Sequence, residues 1–152
     1  MENKQKHVIG GQGLQAGTHQ FNSTSPVSGE LQWQGLAAGA NEASQAVAAA
    51  RETFDSWSLL SYEERQAHVK RFVEVIESRR DELAEIIHEE TGKPLWESKT
   101  EIGTMIAKAA VSEKAYAERT GHRASEANGV QLALTDRPFG VFVELGPYNA
   151  PT

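Results

Sequence analysis

The spacing of apolar positions changes three times along the chain. Residues 1–40 hold short apolar patches, at Val8-Ile9, Thr18–Phe21 and Leu31–Leu36. Gly, Gln, Ser and Thr separate them, with a turn signal at Pro26-Val-Ser-Gly29, so this part predicts a small antiparallel meander. From Asn41 the period becomes helical. Ala43, Val47, Ala50, Phe54 and Trp57 fall on one face of a helix that Asn41 can cap, with Glu42, Gln45, Arg51 and Asp55 opposite.

Ser61-Tyr-Glu-Glu64 has the form of a capping box, in which the Ser hydroxyl and the Glu carboxylate each satisfy a backbone N–H at the helix start. Behind it Val69, Phe72, Val73 and Ile76 make a second stripe, which resumes after a break at Ser78–Asp81 with Leu83, Ile86 and Ile87. Gly92 can take the left-handed cap that ends this helix, and Pro94 suits the first turn of the next. Two helices are therefore expected to meet at a Gly-Lys-Pro corner.

The helix expected from Pro94 to about Arg119 carries Ile102, Met105, Ile106, Ala109 and Tyr116 as a stripe diluted by small residues. Lys108 and Ser112, four apart, share a face beside it. Lys108 either reaches solvent with its ammonium or offers a cation to an anionic ligand. A polar loop is expected to Asn128-Gly129, then a half-buried strand over Val130–Asp136 with Val130, Leu132 and Leu134 on one side. The last apolar run, Val141-Phe-Val-Glu-Leu145, reads as a strand that must leave its sheet at Gly146, because Gly146, Pro147, Asn149 and Pro151 cannot extend a ladder. In an open α/β sheet ligands bind beyond the carboxyl ends of strands, so Asn149 could donate to an oxyanion there or simply satisfy turn backbone.

With 39% hydrophobic and 24% charged residues among 152, the chain has the make-up of one ordinary globular domain. No run approaches a membrane span and the polar start lacks a signal-peptide core, which predicts a cytoplasmic protein without a membrane partner. A net charge of −6 without a basic patch argues against nucleic acid. There is no cysteine, so disulfides, thiolate metal sites and a Cys nucleophile are excluded from these residues. The five histidines are scattered, and no metal site is expected. Gly10-Gly-Gln-Gly13 lies at the start of a polar meander without the buried strand before and the helix after that a phosphate loop needs, and it reads as a plain loop.

Five ordered landmarks carry a family resemblance: Pro26-Val-Ser-Gly-Glu30, Ala48-Ala-Ala-Arg51 with Phe54 and Trp57, Glu63-Glu-Arg65, Glu90-Thr-Gly-Lys-Pro94, and Gly140 with Pro147-Tyr-Asn-Ala-Pro151. Together they resemble the amino-terminal part of the aldehyde dehydrogenase superfamily, over nearly the whole chain. Trp33-Gln-Gly35, Gly92-Lys-Pro-Leu-Trp-Glu97, Lys114-Ala-Tyr116, Arg119-Thr-Gly121 and Gly146-Pro-Tyr-Asn149 look most like a branch whose aldehyde carries carboxylates.

The resemblance implies an α/β fold: a meander over 1–40, a helical layer of the dinucleotide-binding domain over 41–121, a loop and bridging strand over 122–137, and the first strand of a Rossmann-type sheet with its Asn turn over 138–152. It also implies an NAD-dependent oxidation in which a Cys thiolate attacks the aldehyde, hydride leaves to nicotinamide, and a Glu-activated water hydrolyses the thioester. Asn149 matches the family's oxyanion-binding Asn. Gly146, Pro147 and Tyr148 match the segment that lies against the nicotinamide ribose. Ala150 stands where an aromatic residue is usual. Family chains are much longer and carry the pyrophosphate helix, the general-base Glu and the nucleophilic Cys beyond this point. The expectation is therefore a leading fragment, inactive by itself, or alternatively a non-enzymatic assembly or binding module. A third possibility keeps only nucleotide binding at the strand end. Lys108 with Ser112 is the candidate for recognising substrate carboxylates, and an unpartnered terminal strand predicts self-association.

Overall fold

A computed structural model describes residues 7–121 and 123–147. The amino-terminal part is two separate antiparallel hairpins rather than one meander. Strand β1 (His7–Ile9) pairs with β2 (Gln12–Leu14) across Gly10-Gly11, whose φ angles of +57° and +77° are the left-handed pair a two-residue hairpin turn requires. The Gly10–Gly13 stretch is thus a turn running into a strand. Strand β3 (His19–Thr24) pairs with β4 (Leu31–Ala37) and not with β2. The intervening turn is organised by buried Ser25, whose hydroxyl accepts from the N–H groups of Val27 (3.3 Å) and Ser28 (3.2 Å).

Four helices follow. Helix α1 (Ala40–Leu59) begins earlier than the sequence suggested. Its cap is Gly39, whose N–H donates to the Glu42 carboxylate at 2.7 Å, and Asn41 already lies inside the first turn. An acidic side chain reaching back from the third helical residue outcompetes the expected Asn cap. Helix α2 (Tyr62–Ser78) has the expected capping box: Ser61 Oγ accepts from the Glu64 N–H at 3.2 Å and the Ser61 N–H donates to Glu64 Oε2 at 2.7 Å. Helix α3 (Arg80–Thr91) ends at Gly92 with φ +73°, and α4 (Leu95–Arg119) starts directly after Pro94.

The core lies between α2, α3 and α4. Ile76, Ala84, Ile87 and Ile102 are buried together, with Leu83, Leu95, Met105 and Ile106 packed against them. Helix α1 contributes little to it, and its stripe stays largely at the surface: Val47 is 44% and Trp57 42% exposed. No helix among the described residues is long and apolar enough to cross a membrane.

Three expectations past α4 fail. The polar stretch before Asn128 is strand β5 (Arg123–Ala127), and it pairs with β6 (Val130–Leu134) across Asn128-Gly129. All ten strand residues are exposed, so Val130, Leu132 and Leu134 are not half-buried; no second layer covers this hairpin. Residues 135–147 form neither helix nor strand, with Phe142 79% and Leu145 91% exposed. A strand exists only through hydrogen bonds to a neighbour, and the described residues supply no parallel partner for Val141–Leu145.

Candidate functional site

A polar cluster sits at the corner between α3 and α4. Gly92 allows the chain to reverse, and its N–H donates to the His88 carbonyl at 2.9 Å. A β-carbon there would stand 3.0 Å from Pro26 Cγ, so the β3–β4 turn packs directly on the corner. Lys93 reaches along α4 to Glu101 at 2.5 Å, with the side chains only 20% and 14% exposed. His88 Nδ1 bonds the Lys93 carbonyl at 2.5 Å, and the Trp33 indole N–H donates to the Glu90 carboxylate. These bonds join β4, α3 and α4 at one point, which makes the cluster a brace rather than a reactive centre.

The second feature is a hollow of about 210 Å³ between α2 and α4. Tyr62 and Tyr116 stack in it, ring centres 4.5 Å apart and nearly parallel. Burial raises the Tyr62 phenol above its ordinary value of 10.0, and the negative charge of Glu113 adds to the effect. Ser112 lines this hollow beside Arg65, whose guanidinium donates to the Leu60 carbonyl. Arg65 and Tyr116 also border a larger groove of about 570 Å³ formed with Trp57, Asp136 and Phe142.

Lys108 lies outside both hollows, exposed on α4. It comes six residues after buried Ile102 and so sits about 120° round the helix from the core face. Among the described residues it makes no ion pair, whereas Lys93, Lys99 and Lys114 each hold a carboxylate. The structure therefore puts Lys108 and Ser112 on one flank of α4, with only Ser112 beside a hollow. Gly146 and Pro147 are exposed at the end of the irregular segment, and Tyr148 and Asn149 lie outside the described residues. Sequence reasoning missed the hollow and the Trp33–Glu90 link. The Tyr62–Tyr116 stack had no local signal, since its partners come from two helices.

The family resemblance implies a nicotinamide dinucleotide, and Gly146 and Pro147 are the described residues matched to its ribose. Around Gly146 the space where a β-carbon would stand is empty to 4 Å, so the backbone is open to a ribose or ring. A pyrophosphate is different: it needs a free helix N-terminus, yet all four helices carry acid in their first turn, Glu42, Glu63 and Glu64, Asp81 and Glu82, and Glu97. The described residues do not fit that half of the cofactor. They also include no group of three or more metal-ligating side chains.

Residues 14–152 match the model of the aldehyde dehydrogenase family. The chain belongs to that family. N-succinylglutamate 5-semialdehyde dehydrogenase of Chromohalobacter salexigens is 48% identical over 151 residues, 99% of this chain and 31% of its own length. The Vibrio cholerae enzyme of the same name is 41% identical over 95% of this chain and 30% of its length. Among solved structures, the NAD-dependent aldehyde dehydrogenase of Sinorhizobium meliloti superposes with a TM-score of 0.73 at 26% identity, covering 82% of this chain and 26% of that one. The chain thus has the fold of the family's amino-terminal part and spans about a third of the curated relatives' length.

Proposed function

We propose that these residues form the leading segment of an NAD-dependent dehydrogenase that oxidises N-succinylglutamate 5-semialdehyde to N-succinylglutamate, a step of bacterial arginine degradation. The observation that carries this reading is the 48% identity to such an enzyme across 99% of this chain. In the whole enzyme Asn149 donates its amide N–H to the oxyanion, Gly146, Pro147 and Tyr148 lie along the nicotinamide ribose, and Lys108 with Ser112 meets the substrate's carboxylates. The test is the natural gene product, assayed for NADH formation with N-succinylglutamate semialdehyde, succinate semialdehyde and a neutral aldehyde. Preference for the first supports the proposal. A product active only on the other two keeps the family and removes the substrate.

For the 152-residue chain by itself we propose a different behaviour. It has no cysteine, so no thiolate can form the covalent intermediate. Its exposed Val47, Trp57, Phe142 and Leu145 favour self-association over catalysis.

A further inference from the structure

We propose that Asn128 is a site of spontaneous chemical modification, at which the side-chain amide is lost and an aspartyl or isoaspartyl residue replaces it. Three observations place it there.

The first is the neighbour. Asn128 is followed by Gly129, which has no side chain to shield its backbone nitrogen, and nothing lies within 4 Å of where a β-carbon would stand. The second is exposure. Asn128, Gly129 and all ten residues of β5 and β6 are exposed, so the hairpin has no buried surface to hold it shut. The third is the backbone: Asn128 sits at φ +54°, the one non-glycine residue in the left-handed region among those described, a conformation set by the two-residue turn and lost when the turn opens.

The reaction needs no partner but water. The Gly129 backbone nitrogen, having lost its proton to solvent, attacks Cγ of Asn128. The Cγ–Nδ2 bond breaks, ammonia leaves and a five-membered cyclic imide forms. Water then opens the imide. Attack at Cγ gives aspartate, and attack at the main-chain carbonyl gives isoaspartate, with the chain now running through the former side chain. Either product adds one negative charge beside Glu126. The iso product also lengthens a two-residue turn by one backbone carbon, which removes the geometry that pairs Ala127 with Val130.

The other asparagines of the described residues are built to resist. Asn22 lies in paired β3, is followed by Ser23, and its side-chain oxygen accepts from Gln34 at 3.3 Å. Asn41 lies in the first turn of α1 and is followed by Glu42. Both backbones are held by regular structure, and both next residues carry a β-carbon.

The experiment ages the purified chain in warm, mildly alkaline buffer and maps its peptides by mass spectrometry, with an isoaspartyl-specific methyltransferase reporting the iso product. Conversion at Asn128 is expected to run several times faster than at Asn22 or Asn41, and Gly129→Ala is expected to slow it severalfold. The same chain aged in denaturant gives the rate without the hairpin. Fast conversion in denaturant with an intact amide in the folded chain means that the turn protects Asn128, and it overturns the proposal. Conversion at Asn22 or Asn41 keeping pace with Asn128 overturns it as well.

Discussion

Trp33 and Glu90 stand 57 residues apart in sequence, and the indole N–H of one donates to the carboxylate of the other. This bond ties β4 to the end of α3, and Pro26 packed on Gly92 lies beside it. Trp33 also meets Phe21 edge-on, ring centres 5.2 Å apart, so the same side chain joins the two strands of its hairpin to the helices. Trp33→Phe keeps an aromatic ring at this position and deletes the donor. It should cost about 1.5–3 kcal/mol, the range for a hydrogen bond to a charged group. Urea denaturation measures the loss, and hydrogen exchange should show the β3–β4 amides opening first. An unchanged denaturation midpoint would mean that water replaces the bond at no cost.

Four carboxylates are held below their ordinary values. The Gly39 N–H lowers Glu42, the Ser61 N–H and hydroxyl lower Glu64, Lys99 lowers Asp81 and Arg79 lowers Glu82. A folded-state pKa below the unfolded one means that the native state binds fewer protons. The stabilisation is therefore complete above the ordinary values of 4.5 for Glu and 3.8 for Asp, and disappears as pH falls through the lower folded values. The thermal midpoint should hold from about pH 7 to about pH 5 and decline below that. Glu64→Gln should flatten part of that fall, because an amide in the capping box no longer titrates.

How far the chain could be read in advance follows the range of each interaction. Ser61 and Glu64 are three residues apart, and Gly92 ends a helix by its own backbone freedom; both were legible because cause and effect share one turn. The β5 strand was not, since Arg123-Ala-Ser-Glu-Ala127 has no apolar alternation and only Asn128-Gly129 announces the hairpin. The Val141–Leu145 run was misread for the opposite reason: its residues favour strands, but a strand needs a partner that the described residues do not hold. Trp33–Glu90 and Tyr62–Tyr116 depend on packing between elements and leave no mark in either local sequence.

Exposed apolar side chains set the behaviour of the 152-residue chain. Val130, Leu132, Leu134, Phe139, Phe142 and Leu145 lie close in sequence and all face solvent. Light scattering at roughly tens of micromolar should therefore show dimers or larger species. Charged substitutions at Phe142 and Leu145 should shift the chain toward monomer, whereas a monodisperse wild-type monomer would count against this surface.

The same chain should neither oxidise aldehydes nor bind NAD tightly. No thiol is present, and each of the four helix starts among the described residues opposes a pyrophosphate with its own carboxylates. Titration calorimetry should show no micromolar binding, and NADH formation with N-succinylglutamate semialdehyde should stay at the level of a heat-killed control. Measurable turnover would require a nucleophile other than cysteine.

Lys108 is the residue on which substrate choice is predicted to turn in the whole enzyme. It is exposed on α4, one turn before Ser112, and among the described residues it holds no carboxylate, unlike Lys93, Lys99 and Lys114. A solvated ammonium free of an internal partner can meet a substrate carboxylate without first breaking an ion pair, and Ser112 adds a hydroxyl from the same flank. Lys108→Met keeps most of the length of the side chain and removes the charge. With N-succinylglutamate semialdehyde, kcat/KM should fall about ten- to a hundredfold, corresponding to roughly 1.5–3 kcal/mol for a charge-assisted contact. With a neutral aldehyde of similar length it should not change. Equal losses on both substrates would assign Lys108 to the fold instead, and no loss on either would leave it as a cation that only meets water.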